Sequence, residues 1–211
     1  MPLRLGVLTL VFLSLATNVD ASAVAGHDYM VLAVPQRPEG RGKIEVVEFF
    51  SWGCPHCYKL YPLLTRWRAR LPPDTSLRRI PEGLGHPEWV SLARAYYALE
   101  STGDLARLDA AIFEAIHRDH VALFDEPSIT AWVGKHGVNV PRFTKAFHDF
   151  SADTRMGQSE TAAVNYRISG IPTLAVGGRY TVTGEDAATL AIADELIARV
   201  RADEQKPKKQ R

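Results

Sequence analysis

Hydrophobic residues recur along the chain at two spacings, which together predict a mixed α/β protein. Short runs of β-branched and aromatic residues, bounded by glycine or proline, are typical of buried strands. Segments with apolar residues three and four positions apart are typical of helices that pack one face on a core. The predicted strands cover 29–34, 44–50 and 75–80, with two more on either side of Gly177-Gly178. The predicted helices cover 55–71, 89–101, 105–118, 128–136, 141–150, 151–167 and 186–201.

Several of these helices have recognisable ends. Pro55 suits a first helical position, because its missing N–H would be unpaired there in any case. Ser128 is predicted to cap a helix that stops at Gly137. Pro62 lies inside the first helix and is expected to kink or break it. Four short helices follow one another within 86–150, so the pattern predicts an α/β domain interrupted by a helical insert.

The first 23 residues have the parts of a secretory signal. Arg4 supplies a positive charge, and 5–16 form an apolar segment shorter than the ~20 residues that span a bilayer. Ala-Ser-Ala at 21–23 fits a cleavage site, so the mature chain is expected to start near Val24. Export to an oxidising compartment, the periplasm, follows from this interpretation. An uncleaved membrane anchor is the alternative.

The composition is that of an ordinary globular chain. Of 211 residues, 46% are hydrophobic and 23% are charged, which is enough for a sizeable core in one domain or one domain with an insert. The net charge is +1, so nothing suggests binding to nucleic acid. We expect a monomer whose basic tail, 204–211, is disordered.

The only two cysteines, Cys54 and Cys57, lie within Ser-Trp-Gly-Cys-Pro-His-Cys-Tyr at 51–58. This segment follows a predicted strand and opens a predicted helix. Cys54 would occupy the helix cap, and Cys57 would lie about one turn further along on the same side. A C-x-x-C motif between a strand and a helix is the thioredoxin-like pattern, which favours redox catalysis.

The start of the helix predicts how the two sulfurs differ. Unpaired N–H groups and the positive end of the helix dipole stabilise a thiolate, and protonated His56 would stabilise it further. We therefore expect Cys54 to be exposed, with a lowered pKa, and to be the attacking sulfur. Cys57 is expected to be covered and to act as the resolving thiol that closes the Cys54–Cys57 disulfide. A stabilised thiolate favours the reduced form, which makes the disulfide a strong oxidant.

Other uses of these side chains are weaker. A zinc site usually needs four nitrogen or sulfur ligands, and the chain has no second cysteine pair. A structural disulfide here would close a very short loop, whereas stabilisation grows with loop length. His117 and His120 are three positions apart, but a solvated helix face explains them better than a metal site does. We expect no bound metal.

The stretch at 48–58, Glu-Phe-Phe-Ser-Trp-Gly-Cys-Pro-His-Cys-Tyr, resembles the active-site segment of the DsbA family of thiol:disulfide oxidoreductases. The likeness extends from about Gly26 to Arg201 and implies an α/β, thioredoxin-like fold with an inserted α-helical domain. The segment at 81–85 does not match the family pattern. The implied parts are a signal peptide at 1–23, a thioredoxin-like domain at 24–85 and 151–203, a helical insert at 86–150 and a tail at 204–211.

Glu48 is a carboxylate within an apolar strand, a setting that raises the pKa of an acid. In the resemblance it matches a buried acid beside the cysteines, and we expect it to help move the proton of Cys57. An acid at a strand edge, paired with an arginine, is the alternative.

Ile171-Pro172-Thr173 matches the segment in which thioredoxin-like folds carry a cis-proline that faces the cysteines. Pro172 has no N–H, and Ile171 would leave an edge where an extended substrate backbone can pair. Thr173 is expected close to the disulfide. The resemblance thus implies a substrate-binding role for these three residues.

Together these features predict an exported enzyme that donates its disulfide to unfolded or reduced exported proteins through a mixed disulfide. No cofactor beyond the redox-active disulfide is expected. The resemblance implies reoxidation by a membrane quinone reductase of the DsbB type. A disulfide reductase or isomerase on the same fold is one alternative, although such isomerases usually carry a separate dimerisation domain. A non-enzymatic copper or metal carrier, using both cysteines and a histidine, is the other.

Overall fold

The computed structural model describes residues 22–40 and 42–206. Apart from Ser22 and Ala23, the predicted signal peptide lies outside the described residues, as does 207–211 of the predicted tail. Within the described part, no helix combines the length and apolar content that crossing a bilayer requires.

The described residues form one sheet with helices around it, which confirms the α/β prediction. The strands are β1 (Met30–Val31), β2 (Ile44–Phe50), β3 (Thr75–Pro81), β4 (Thr173–Val176) and β5 (Tyr180–Thr183), in the order β1-β5-β4-β2-β3. The helices are α1 (Pro55–Ala69), α2 (Pro87–Thr102), α3 (Leu105–His117), α4 (Glu126–Lys135), α5 (Val140–Phe147), α6 (Phe150–Asn165) and α7 (Ala187–Gln205). Strand β2 runs parallel to β3 and antiparallel to β4. Helices α2 to α5 fall between β3 and α6, where the sequence predicts an insert.

Strand β2 lies inside the sheet, and all seven of its residues are buried. This burial explains why the sequence of β2 is almost continuously apolar, because a strand that is covered on both faces has no side exposed to solvent. Val46 belongs to a hydrophobic cluster with Leu64 of α1 and Leu196 of α7. Phe50 belongs to a second cluster, formed with α2 and α3. Strand β2, from whose end the cysteine segment continues, is therefore packed against two hydrophobic clusters.

Some boundaries differ from the prediction. Strand β1 is shorter than the predicted 29–34, because beyond it the backbone N–H groups of Leu32 and Gln36 bond only at separate points to the β4–β5 turn. Helix α1 continues through Pro62 without the break that proline allowed. Helix α7 continues to Gln205, two residues into the predicted tail.

The start of α4 also differs. Asp125, not Ser128, is the N-cap, and its carboxylate accepts a 2.8 Å hydrogen bond from the Ser128 N–H. The Ser128 hydroxyl in turn accepts from the Asp125 N–H at 3.3 Å, which completes a capping box. Ser128 thus stabilises the helix from its third position rather than from the cap.

The β4–β5 hairpin forms where the sequence predicts it. Gly177 and Gly178 have φ angles of 56° and 66°, in the left-handed region that glycine adopts without strain. A Cβ on Gly178 would lie 2.0 Å from the carbonyl oxygen of Gln36, so a side chain does not fit there. The turn brings β5 back beside β4, which on its other side pairs with β2.

Candidate active site

The two cysteines lie where β2 gives way to α1. Cys54 is the N-cap of α1, with φ −86° and ψ 119°, and Pro55 is the first helical residue, as predicted. The Cys54 carbonyl accepts the Tyr58 N–H at 3.1 Å, which begins the helical hydrogen bonding. Cys57 lies in the first turn. Both cysteines are free thiols, which is the reduced form of the predicted pair.

The prediction that Cys54 is exposed is wrong: only 2% of its surface is accessible, and Cys57 is fully buried. The cover comes from the segment before β4. In its thiol form Cys54 Sγ donates a hydrogen bond to the Ile171 carbonyl, 3.6 Å away. The Ile171–Pro172 peptide is cis, and it faces the cysteines as the resemblance implies.

The two sulfurs differ strongly in acidity. A hydrogen bond from the Cys57 thiol is the largest cause that lowers the pKa of Cys54, to about 6 from an ordinary value of 9.0. Burial opposes it, while the N–H groups of Cys57 and His56 and the charge on His56 assist. Burial raises the pKa of Cys57, and the bond to Cys54 raises it further. The direction agrees with the prediction, but the Cys57 thiol contributes more than any single N–H group of the helix start or the charge of His56.

We expect the alkylation rate of Cys54 in the reduced protein to titrate with a midpoint near pH 6. In Cys57→Ser the midpoint should change, because a hydroxyl replaces the thiol that donates to the thiolate. Initial rates with iodoacetamide across the pH range, followed by mass spectrometry, measure both. A wild-type midpoint near 9.0 would contradict the assigned role of the Cys57 thiol.

Glu48 is fully buried inside the sheet, not at an edge, and it has an arginine partner. Its Oε2 accepts from Arg79 Nε, while Oε1 has no partner among the described residues. Burial raises the pKa of the Glu48 carboxyl, and the positive charge of Arg79 opposes that rise. The charge of Glu48 is also among the causes that raise the pKa of Cys57, so the two groups interact.

Sequence reasoning missed the rest of this network. Arg79 Nη1 donates to Asp109 Oδ2 of α3 at 2.6 Å, and Asp109 Oδ1 accepts from Trp52 Nε1 at 2.8 Å. The Arg79 guanidinium also lies 3.7 Å from the centre of the Phe50 ring. The available signal for this network was the pair of arginines within the predicted strand 75–80. The sequence does not show that one of them, Arg79, binds Asp109 of α3. A chain of buried polar contacts thus joins Glu48 to the turn before Cys54.

The prediction that His117 lies on a solvated face is wrong. His117 is half-buried, stacks on Tyr58 at 4.9 Å, and donates from Nε2 to the Trp52 carbonyl at 2.7 Å. Trp89 of α2 covers the same turn, because a Cβ on Gly53 would lie 2.4 Å from its Nε1. Two helices of the predicted insert therefore hold the turn that carries Cys54.

His120, by contrast, is exposed. Across 22–40 and 42–206, no three side chains among histidine, cysteine, aspartate and glutamate come together in a way that could hold a metal ion. The carrier alternative, which needs both cysteines and a histidine, has no such cluster to use in this part of the chain.

Thr173 opens β4, and its hydroxyl is engaged away from the sulfurs. It donates to the Gly170 carbonyl at 2.8 Å and lies 2.6 Å from the Thr183 hydroxyl. Thr173 is buried, as is Ile171. The structure therefore brings the Ile171 carbonyl to Cys54, while the Thr173 hydroxyl holds this segment through its contacts with Gly170 and with Thr183 of β5.

The segment that departs from the family pattern carries a buried acid. The Glu82 N–H donates to the Phe50 carbonyl at 2.7 Å. The residue is 5% exposed, and its Oε1 has no partner in the part of the chain that the structure describes. It lines a cavity of about 400 Å³ with Leu84, with Val90 of α2 and with residues of α6. Burial raises the pKa of Glu82 to about 8, with a further contribution from the charge of Glu160.

Glu82→Gln is therefore expected to stabilise the protein at high pH and to change it little at low pH. The pKa of Glu82 in the folded protein lies above the ordinary value of 4.5. The contribution of the neutral carboxyl to the free energy of unfolding is therefore fully present below pH 4.5 and is lost as the pH rises to about 8. The gain at high pH should be on the order of 1–3 kcal/mol, the cost of an unsatisfied buried group. Urea unfolding of both proteins at either end of that range measures it; equal differences at both would contradict it.

The comparisons with known proteins agree with this geometry. The family model of the DSBA-like thioredoxin domain matches residues 45–192. A thiol:disulfide interchange protein DsbA of Azotobacter vinelandii is 35% identical over 84% of each chain, and one of Bordetella parapertussis is 32% identical over 88% of this chain and 92% of its own.

Solved structures show the same fold. Pseudomonas aeruginosa DsbA superposes with a TM-score of 0.80 at 32% identity, covering 87% of this chain and 97% of its own. The oxidoreductase DsbA from Xylella fastidiosa gives 0.79 at 35% identity, covering 85% and 98%. The thioredoxin-like fold is therefore confirmed, and the chain belongs to the family of the DSBA-like thioredoxin domain as a thiol:disulfide oxidoreductase.

Proposed function

We propose that this oxidoreductase works as an oxidase, which donates a Cys54–Cys57 disulfide to reduced proteins. The opposite shifts of the two sulfurs carry this proposal: the pKa of Cys54 is lowered to about 6, while that of Cys57 is raised. Stabilisation of the Cys54 thiolate lowers the free energy of the reduced form, whereas the disulfide form has no thiolate to be stabilised. The disulfide therefore tends to be reduced, and so to oxidise other thiols.

The exchange has two steps. A substrate thiolate attacks Cys54 of the disulfide, a mixed disulfide forms, and Cys57 leaves and takes up a proton. The second thiolate of the substrate then attacks the substrate sulfur that is bonded to Cys54, and Cys54 leaves as a thiolate. The substrate loses two electrons and closes one disulfide, and the enzyme gains both as a thiolate and a thiol. The low pKa of Cys54 makes it a good leaving group in the second step.

Glu48 fits the role of proton carrier for Cys57, as the sequence predicts. Cys57 is fully buried and leaves as the more basic sulfur, so it needs a nearby donor. The Glu48 carboxyl has a raised pKa and a free Oε1, so it can hold a proton and release it. In reoxidation the same carboxylate would accept the proton of Cys57.

Glu48→Gln is expected to slow exchange on the order of 10²-fold while the protein stays folded, because the amide can still accept from Arg79 but cannot carry a proton. Stopped-flow oxidation of a dithiol peptide measures the rate, and circular dichroism checks the fold. Unchanged kinetics in a folded variant would remove the role.

The segment Ile171-Pro172-Thr173 is proposed to receive the substrate backbone. The Ile171 carbonyl already accepts from Cys54 Sγ, so a chain lying against it would pass beside the reactive sulfur. Pro172 supplies no N–H, and the Thr173 hydroxyl is bound within the protein, so recognition would rest on backbone pairing. Such pairing suits an enzyme that accepts many unfolded sequences.

Export and reoxidation complete the proposal. The N-terminal sequence suggests a signal peptide, and a periplasmic location would supply the oxidising surroundings that a donor needs. Reduced exported proteins would be the substrates, and a membrane quinone reductase of the DsbB type would restore the disulfide. The names of the relatives support exchange chemistry, and the partners themselves follow from the family resemblance.

Equilibration with glutathione buffers, followed by tryptophan fluorescence, tests the direction of the reaction. We expect a reduction potential nearer about −120 mV than the about −270 mV of a thioredoxin. Oxidation of a reduced dithiol peptide should be fast, and reduction of insulin slow. A potential near that of thioredoxin would instead favour the reductase alternative.

A further inference from the structure

Glu185, in the loop between β5 and α7, reaches across to the first turn of α1. Its Oε2 lies 2.5 Å from His56 Nδ1, and its Oε1 accepts from Lys59 Nζ at 3.1 Å. These contacts join positions 129 and 126 residues apart in the chain. One carboxylate therefore engages the first two basic side chains that follow Cys54 in the helix.

His56 also acts on the reactive sulfur. Its charge and its backbone N–H are both among the causes that lower the pKa of Cys54. The charge of His56 therefore acts on two anions, the Glu185 carboxylate that it contacts and, in the reduced protein, the Cys54 thiolate. Glu185 is the only contact of His56 within 4 Å that carries a negative charge among the described carboxylates.

We propose that Glu185 is a positioning residue that limits the oxidising strength of the enzyme by competing with the Cys54 thiolate for the His56 imidazolium. The inference rests on the proposed oxidase function and adds a residue that tunes it. Glu185 touches neither sulfur, so it acts through His56.

The competition differs between the two redox states. Reduction adds two electrons and one proton to the disulfide and yields the Cys54 thiolate and the Cys57 thiol. In the disulfide state Cys54 carries no charge, and Glu185 alone attracts His56. In the reduced state the thiolate and Glu185 share the same cation, so the carboxylate weakens the stabilisation that drives reduction.

The neighbours of Glu185 have other roles, so Glu185 is the carboxylate that acts on His56. Its neighbour Asp186 caps α7, with Oδ1 accepting from the Thr189 N–H at 3.0 Å. Lys59 holds the second oxygen of Glu185 and so fixes the carboxylate in front of His56. Both side chains of the His56–Glu185 pair are partly exposed, at 60% and 34%, which sets a modest size for the effect.

Glu185→Gln tests the proposal. Without the Glu185 charge, the Cys54 thiolate no longer shares the positive charge of His56 with a carboxylate. We expect the alkylation midpoint of Cys54 to fall and the equilibrium constant against glutathione to move about two- to fivefold toward the reduced enzyme, the range of an exposed ion pair. Circular dichroism and the thermal midpoint check that the variant is folded.

Two matched variants make the test specific. Glu195→Gln removes another ion-paired carboxylate, whose partner is Arg199, and should leave both readouts unchanged. On a His56→Ala background, Glu185→Gln should have no effect, because its route to Cys54 is gone. An unchanged midpoint in the single variant, or an equal shift without His56, would overturn the proposal. A thioredoxin-like wild-type potential would contradict the oxidase function but leave the Glu185 shift measurable.

Discussion

Replacing Cys54 with serine is expected to abolish disulfide donation, with the oxidation rate of a reduced dithiol peptide falling by more than about 10³-fold. The mixed disulfide forms at Cys54, and a hydroxyl cannot take its place. The fold should persist, because serine can still donate to the Ile171 carbonyl that Cys54 Sγ contacts at 3.6 Å. The same peptide assay, with circular dichroism as a check, measures the loss.

Cys57→Ser is the matched comparison. It also loses turnover, but for a different reason: without Cys57 the enzyme cannot form the disulfide that it would donate. Its Cys54 thiolate can still attack the disulfide of an oxidised peptide, which releases one peptide sulfur as a thiolate, and no Cys57 thiol is present to displace the peptide from Cys54. We therefore expect mixed disulfides to accumulate when Cys57→Ser is incubated with an oxidised dithiol peptide, and not when Cys54→Ser is, as seen on non-reducing gels. The reverse pattern would exchange the roles assigned to the two sulfurs.

The local parts of this site could be predicted from the sequence. A buried run ending at Phe50, proline at position 55 and helical spacing afterwards are enough to place Cys54 at the cap of a helix. The hairpin at Gly177-Gly178 is local for the same reason. Each of these features depends on residues close together in the chain, where spacing and turn chemistry determine the backbone.

The parts that could not be predicted depend on distant partners. The cover on Cys54 comes from Ile171, 117 residues away, so exposure could not be judged from the cysteine motif. His117 has an ordinary helical setting until the Trp52 carbonyl is brought beside it. The contacts of Glu185 with His56 and of Asp109 with Trp52 could not be predicted for the same reason, because these partners are also distant in the chain. Packing between elements decides these contacts, and the hydrophobic pattern of either element does not specify which polar groups will meet.

Arg79→Met is expected to destabilise the protein by about 3–5 kcal/mol, the cost of breaking a buried ion pair from one side. The Arg79 side chain is 8% exposed, and its partners Glu48 and Asp109 are 0% and 16% exposed. Methionine preserves most of the volume beside Phe50 but leaves both carboxylates without their cation. Urea unfolding of the reduced proteins at neutral pH measures the difference.

Arg201→Met is the matched control, because Arg201 makes two bonds to Asp74, of 2.6 and 2.8 Å, in an exposed pair. It should cost less than about 1 kcal/mol. The Arg79 deficit should also shrink in acid. Loss of the guanidinium raises the pKa of Glu48 further, because its positive charge no longer opposes the effect of burial. The loss of stability that comes from Glu48 in Arg79→Met therefore grows as the pH rises above the wild-type Glu48 pKa. Below that pKa this loss vanishes, because the carboxyl is neutral in both proteins. Equal costs for the two arginines, or a deficit unchanged by acid, would show that packing against Phe50, and not the buried charges, accounts for the role of Arg79.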